Sequence, residues 1–346
     1  MAILFVVIGH GNLLLPEKLA YFANYFVLDG VSIFFVLSGF LIGGILIKAL
    51  EKEQISVRFL LNFWKRRWFR TLPNYFLVLL VLSLLEIIFT DNFNISEAAR
   101  FAIFSQNFYT VHPVFFSEAW SLSIEEWFYL IIPTAIIAAN LLLRLRIKNA
   151  IALSIAVIII ATTVFRFYRY CHIPIHSLEE WDVYFRKQVI TRLDSLIYGV
   201  LGAWLAFYET AKWLRFIKPL FYVGLALLIL PKCFPVIDFG SLYICVFSFS
   251  VNAFATLLLI PYLSSVRKSN GTVYKTVTYL SLISYSMYLV NFSIVQLWIL
   301  GNVPSPGIPY FFIVKYCAFW ILTIALSILL YKYFEVPTMK LRDRRI

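Results

Sequence analysis

Residues 119–133 read Ala-Trp-Ser-Leu-Ser-Ile-Glu-Glu-Trp-Phe-Tyr-Leu-Ile-Ile-Pro. Two carboxylates and two serines stand at the mouth of a segment that otherwise has the composition of a membrane-spanning helix. A charge near hydrocarbon costs at least about 2.5–3.5 kcal/mol, so Glu125 and Glu126 are expected to face a wet cavity, a basic partner or a substrate. Successive residues on a helix are about 100° apart, so only one of the two is expected to point into a given cavity. A plainer reading stands beside this one. Hydroxyls followed by acids are also how a helix N-terminus begins, with a serine as cap and carboxylates at the positive end of the dipole.

The rest of the chain supports the membrane reading. Of 346 residues, 62% are hydrophobic and only 14% charged, and the mean hydropathy is +0.84, far from a soluble domain with about half apolar and a quarter charged residues. A helix of about 20 residues crosses roughly 30 Å of hydrocarbon. The expected fold is therefore all-α: a single membrane-embedded domain over residues 1–346, a polytopic bundle of about ten transmembrane helices. The spans are expected near 1–15, 27–49, 72–90, 120–143, 149–168, 194–210, 216–234, 240–263, 277–300 and 310–334.

Charge placement gives the orientation. With both termini cytoplasmic, 21 of the 30 Lys and Arg fall on the inner side: those from Lys48 to Arg70, Arg144 to Lys148, Lys212 to Lys218, Arg267 to Lys275 and Lys332 to Arg345. That is the positive-inside pattern. The net charge of +12 is then mostly topology, and nucleic-acid binding is a poor explanation of it. The four cysteines form no Cys-x-x-Cys pair and are read as packing residues, although Cys171 and Cys233 share the outer side and could pair. No metal site is expected, because Pro174 between His172 and His176 argues against a regular helix presenting both to one ion.

Several motifs follow one another along the chain. Val7-Ile8-Gly9-His10 ends the first apolar stretch, and Gly30-Val-Ser-Ile-Phe-Phe-Val-Leu-Ser-Gly-Phe-Leu-Ile42 begins the next. A basic aromatic loop is expected at Phe63-Trp-Lys-Arg-Arg-Trp-Phe-Arg-Thr-Leu-Pro73. Gln106-Asn107, the Trp120–Glu126 segment and Arg192-Leu-Asp194 come next, then Ser284-Tyr-Ser-Met-Tyr-Leu289 and Phe334-Glu-Val-Pro337. In this order and at these separations the motifs resemble the membrane-bound acyltransferase 3 family, over almost the whole chain. The resemblance implies a helical bundle with its active site within the membrane domain, moving acyl groups from coenzyme A to hydroxyl compounds. In the family the histidine matching His10 follows an arginine at a position that here would precede Met1. The first span is also short for a bilayer, so the first helix is expected to be truncated at its N-terminus. A second departure is Asn291, where many relatives carry histidine; asparagine hydrogen-bonds but does not exchange a proton near neutral pH.

Roles follow from the resemblance and from chemistry together. His10 is the expected general base, since the acceptor hydroxyl must lose a proton as it attacks a thioester. Glu125 is expected to orient or charge the site, with Glu126 nearer the helix surface or a basic residue. Arg67 and Arg70, at i and i+3, present two guanidiniums on one helical face, which suits the phosphates of coenzyme A; the alternative is attraction to anionic lipid headgroups. Arg166, Arg192 and Asp194 are read as possible partners of the glutamates, with Arg192, Glu126 and Tyr285 as substrate-binding candidates. Tyr285 also fits an interfacial anchor. The outer loop 169–193, with Glu179, Glu180, Trp181 and Tyr184, is a place where a carbohydrate could enter or simply a solvated connector.

The leading expectation is an acyl-CoA-dependent O-acyltransferase, with acetyl-CoA as donor and a cell-surface polysaccharide or lipid-linked glycan as acceptor, in a bacterial inner membrane. Membrane lipids are its surroundings and nucleic acid is not a partner. The alternatives are a glycolipid transporter or flippase, although no inverted repeat is evident, and a catalytically inactive scaffold relative.

Overall fold

The computed structural model describes residues 2–52, 56–90, 93–234, 238–266, 270–304 and 307–343. Among these all regular structure is helical, with no strand. Eight helices are long and apolar enough to cross a membrane, and the protein is an all-α polytopic membrane bundle.

The helices are α1 (Ala2–Gly11), α2 (Glu17–Phe26), α3 (Gly30–Leu50), α4 (Val57–Phe89), α5 (Ile95–Ala102), α6 (Ala119–Leu142), α7 (Ile147–His172) and α8 (Leu178–Trp181). They continue as α9 (Val189–Tyr208), α10 (Thr210–Arg215), α11 (Ile217–Cys233), α12 (Ser248–Ser264), α13 (Thr272–Val290), α14 (Phe311–Leu330) and α15 (Val336–Asp343). The two expected spans that fall short of the eight are the first, built from the ten-residue α1 and a 3₁₀ turn at Asn12–Leu14, and the seventh, the 17-residue α11. Of the basic residues used for orientation, Arg267, Lys268, Arg344 and Arg345 lie outside the described residues.

The third span departs most from expectation. Helix α4 does not begin near residue 72 but at Val57, where Ser56 caps it by accepting a hydrogen bond from Phe59 N–H at 3.2 Å. The basic aromatic stretch is thus about three turns of helix rather than a loop, and Pro73 lies inside the helix. A proline removes one ladder bond, which a long helix packed on its neighbours tolerates.

Helices α3 and α9 form the centre. Their backbones approach so closely that a Cβ at Gly39 would lie 1.9 Å from Leu196 O, and one at Gly199 would lie 2.1 Å from Val36 O. Glycine at such a crossing lets the backbones touch, the usual basis of tight helix association in lipid. The most apolar window of α9 is 61% buried, whereas that of the last span, Phe311–Leu341, is 17% buried. Helix α9 therefore belongs to the interior and the last span to the lipid-facing rim.

A buried ion pair joins α7 to α9. Arg166 Nη2 and Asp194 Oδ2 are 2.8 Å apart with both side chains wholly buried, and Ser250 of α12 shares the carboxylate at 2.7 Å. Asp194 thus takes its cation from a neighbouring helix, and neither residue reaches the glutamates of α6. All four cysteines are free, so Cys171 and Cys233 do not pair; Cys233 Sγ instead lies 3.9 Å from the Tyr25 hydroxyl.

Candidate active site

Four helices enclose a cavity of about 440 Å³. Helix α3 supplies an apolar wall with Ser38, α4 contributes Arg67, Arg70 and Thr71, α6 contributes Ser121, Glu125 and Tyr129, and α13 contributes Ser284, Tyr285 and Tyr288. Arg67, Arg70, Glu125 and Tyr285, singled out from separate parts of the sequence, therefore line one space.

The two adjacent glutamates diverge. Glu125 lines the cavity, where the Tyr129 hydroxyl donates to its Oε2 at 3.4 Å. Glu126 is turned away and buried, accepting a hydrogen bond from Thr71 Oγ1 at 2.9 Å. Tyr285 has its hydroxyl engaged, donating to Thr71 O at 2.7 Å, so it straps α13 to α4 while its ring faces the cavity. The serines of α6 do not cap that helix, whose start lacks a side-chain cap. Ser121 Oγ lies 2.6 Å from the Tyr288 hydroxyl, and Ser123 Oγ accepts from Gln106 Nε2.

His10 is not among the residues that line this cavity. Its Nδ1 is 2.6 Å from Asn291 Oδ1, and its ring centroid is 4.6 Å from that of Phe292. Asn291 Nδ2 donates to Met287 O and Tyr288 O, both at 2.8 Å, and Tyr288 in turn lines the cavity. One residue thus links the histidine to the cavity wall. The sequence marked Asn291 only as a departure from a family pattern; its contact with a residue 281 positions away has no signal in a single chain.

Two further carboxylates belong to the polar cluster: Glu118, which no motif singled out, and Glu335 of the Phe334–Pro337 motif. Glu118 is buried to 2% exposure; its carboxylate accepts from both the N–H and the hydroxyl of Ser293, and its backbone oxygen accepts from the Tyr288 hydroxyl at 2.9 Å. Its neighbourhood to Ser121 and Ser123 was the available hint. Glu335 receives hydrogen bonds from Asn74 Nδ2 at 2.9 Å and Ser286 Oγ at 2.6 Å, joining the last span to α4 and α13.

Arg192 is fully buried and lies outside the cavity lining. It donates to Ser32 Oγ at 2.6 Å and packs over Phe249, with the guanidinium carbon 4.3 Å from the ring centre. Ser32 passes the interaction on to Asp29 at 2.6 Å, and Asp29 lies 3.8 Å from Arg186. In the loop between α7 and α9, Asp182 holds Arg186 at 2.8 Å. Burial would raise the Asp182 carboxyl, but the Arg186 and Lys187 cations outweigh it and hold it below the usual range. Trp181 of the same loop is stacked on Phe249, its centroid 5.2 Å away, which commits its face to packing. Among the described residues no group of three or more His, Cys, Asp or Glu is placed to hold a metal ion.

The chain is similar to known proteins over most of its length. The chain is 28% identical over 340 residues to O-acetyltransferase OatA of Staphylococcus aureus (strain NCTC 8325 / PS 47), a match covering 90% of the chain and 52% of the relative. It is 36% identical over 118 residues to peptidoglycan O-acetyltransferase OatA of Listeria monocytogenes (serovar 1/2a, strain ATCC BAA-679 / EGD-e), covering 30% of the chain and 19% of the relative. The chain spans about half the length of the first of these relatives. No solved structure matches it. The profile of the family described as "Acyltransferase domain" matches residues 1–332, nearly the whole chain, and the chain therefore belongs to the acyltransferase 3 family.

Proposed function

We propose that this chain is an acyl-CoA-dependent O-acyltransferase of the bacterial cytoplasmic membrane that acetylates a hydroxyl of a cell-surface glycan, residues 1–346 acting as one membrane-embedded unit. The observation that carries the reading is the single cavity shared by Arg67, Arg70, Glu125 and Tyr285, backed by His10 through Asn291 and Tyr288. Arg67 and Arg70 stand where the phosphates of a coenzyme A thioester would be held, since guanidinium pairs with phosphate through charge-assisted, bidentate hydrogen bonds. The cavity between them and Tyr288 has an apolar wall of α3, suited to a pantetheine arm and a short acyl group.

The chemistry needs one base. The acceptor oxygen attacks the thioester carbonyl, its proton passes to His10, the carbon–sulfur bond breaks as the ester bond forms, and the proton leaves with the coenzyme A thiol. A positioned base contributes about 10²–10⁴-fold to such a step. The names of the relatives support acetyl as the group transferred and a wall polysaccharide as the class of acceptor.

The test uses purified protein in nanodiscs with radiolabelled acetyl-CoA and a glycan acceptor. Label should pass to the acceptor or to water, and His10→Ala should lower turnover by at least about 10²-fold while coenzyme A binding and the melting temperature persist. Absence of turnover in a folded wild-type protein would favour a transporter or scaffold instead.

A further inference from the structure

The last third of the bundle contains a local change of helical winding. Helix α13 gives way at Asn291 to a ten-residue π-helical segment, Asn291–Leu300. Long π segments are rare, and their wider turns leave backbone groups without their usual partners. Here two side chains answer that disturbance. The N–H of Ser293 donates to the Glu118 carboxylate at 3.2 Å, and Asn291 Nδ2 caps the carbonyls of Met287 and Tyr288, each at 2.8 Å.

That capping has a consequence for His10. A primary amide has two N–H donors on its nitrogen and only acceptor capacity on its oxygen. Both donors of Asn291 are directed at backbone carbonyls, which cannot donate, so the amide has one sensible orientation. Oδ1 is left to face His10 Nδ1 at 2.6 Å, and it can only accept. The histidine must then carry its proton on Nδ1, leaving the Nε2 lone pair as the basic site. In a neutral imidazole the nitrogen that donates is fixed by the hydrogen bond it makes, and the other becomes the acceptor. Phe292, next in sequence, lies against the imidazole and limits its rotation.

We propose that Asn291 is a positioning residue that holds His10 in the Nδ1–H tautomer and so makes Nε2 the base of the transfer reaction. The proposal rests on the reading of His10 as that base. Asparagine in this place does not exchange a proton itself; it selects which nitrogen of the histidine does. Asn291 stands at the junction of α13 and the π segment, and Glu118 holds that segment through Ser293.

Two measurements test it. The first needs no activity: protein labelled with ¹⁵N-histidine in nanodiscs is examined by NMR, the His10 signal being identified by its loss in His10→Gln. A protonated Nδ1 with an unprotonated Nε2 is expected, and the opposite tautomer overturns the proposal. The second is kinetic. Asn291→Leu should lower kcat by about 10–100-fold, the usual effect of losing a residue that orients a functional imidazole, with KM for acetyl-CoA unchanged. Asn291→Asp should recover part of that loss, because a carboxylate also accepts from Nδ1–H although it gives up the Nδ2 bonds to Met287 O and Tyr288 O. Its negative charge should raise the imidazole pKa and move the acidic limb of the pH–rate profile to higher pH. Asn291→Asp as inactive as Asn291→Leu while equally folded, or Asn291→Leu with wild-type kcat and pH profile, overturns the proposal. Full turnover in His10→Ala would remove the underlying reading, and the NMR result separates that failure from a mistaken tautomer.

Discussion

Glu125 and Glu126 show how much one bond along a helix decides. They are chemically identical, yet one faces the cavity and the other is buried against Thr71. The two arginines of α4 that line the cavity are also unequal: Arg70 is exposed, whereas Arg67 is half-buried. On the proposed donor role, Arg70→Ala should raise KM for acetyl-CoA by about 10–100-fold, the worth of a hydrogen bond to a charged group, with little change in kcat. Arg70→Lys should recover only part of this, since an ammonium keeps the charge but not the planar fork. Initial-rate kinetics over a range of donor concentrations would decide it, and an unchanged KM in Arg70→Ala would assign the arginine to lipid headgroups instead. Arg192 shows where reading residue by residue stops. As a charged residue near a span edge it invited a substrate role, but the fold surrounds it with Phe35, Phe249 and Ser32. Only the side chains that happen to surround a buried guanidinium say what it holds.

At the scale of elements, hydropathy located the spans well because lipid demands long apolar helices whatever the tertiary contacts. The span expected at 120–143 is α6 at Ala119–Leu142, and that expected at 149–168 is α7 at Ile147–His172. It misplaced the start of α4, because a charged, aromatic run carries a weak hydropathy signal while still having good helix formers and a serine cap. The π segments at Tyr243–Phe247, Asn291–Leu300 and Tyr331–Glu335 had no signal either, since the extra residue per turn is a response to neighbouring helices. The α3–α9 contact is the element most sensitive to substitution. Gly39→Ala places a methyl group 1.9 Å from Leu196 O and should destabilise the bundle by about 1–3 kcal/mol through overpacking. A lowered melting temperature in detergent is expected, whereas Gly44→Ala, with nothing within 4 Å of its added Cβ, should melt like the wild type. Equal melting of the two variants would contradict the close approach.

For the whole molecule, orientation and interior arrangement come from different sources. The bias of Lys and Arg toward one set of loops predicts that the exposed Lys65 of α4 faces the cytosol and that Cys171, exposed and free near the end of α7, faces outward. A membrane-impermeant maleimide should label native Cys171 in intact cells. A Lys65→Cys variant lacking the native cysteines should react only in inverted vesicles, and the reverse pattern would invert the whole topology. Composition and periodicity alone determined that this is an all-α membrane bundle, roughly where its helices lie, and which loops are basic, because the bilayer acts on every residue in the same way and independently of its neighbours. The motifs, taken in order, placed the chain in its family. Only the tertiary structure decided that Arg70, Glu125 and Tyr285 share one cavity, that Arg166 belongs to Asp194, and that His10 is held by Asn291. Those partners come from helices far apart in the chain, and their meeting depends on close packing and on the rotation of each helix about its axis, which a hydropathy pattern does not encode.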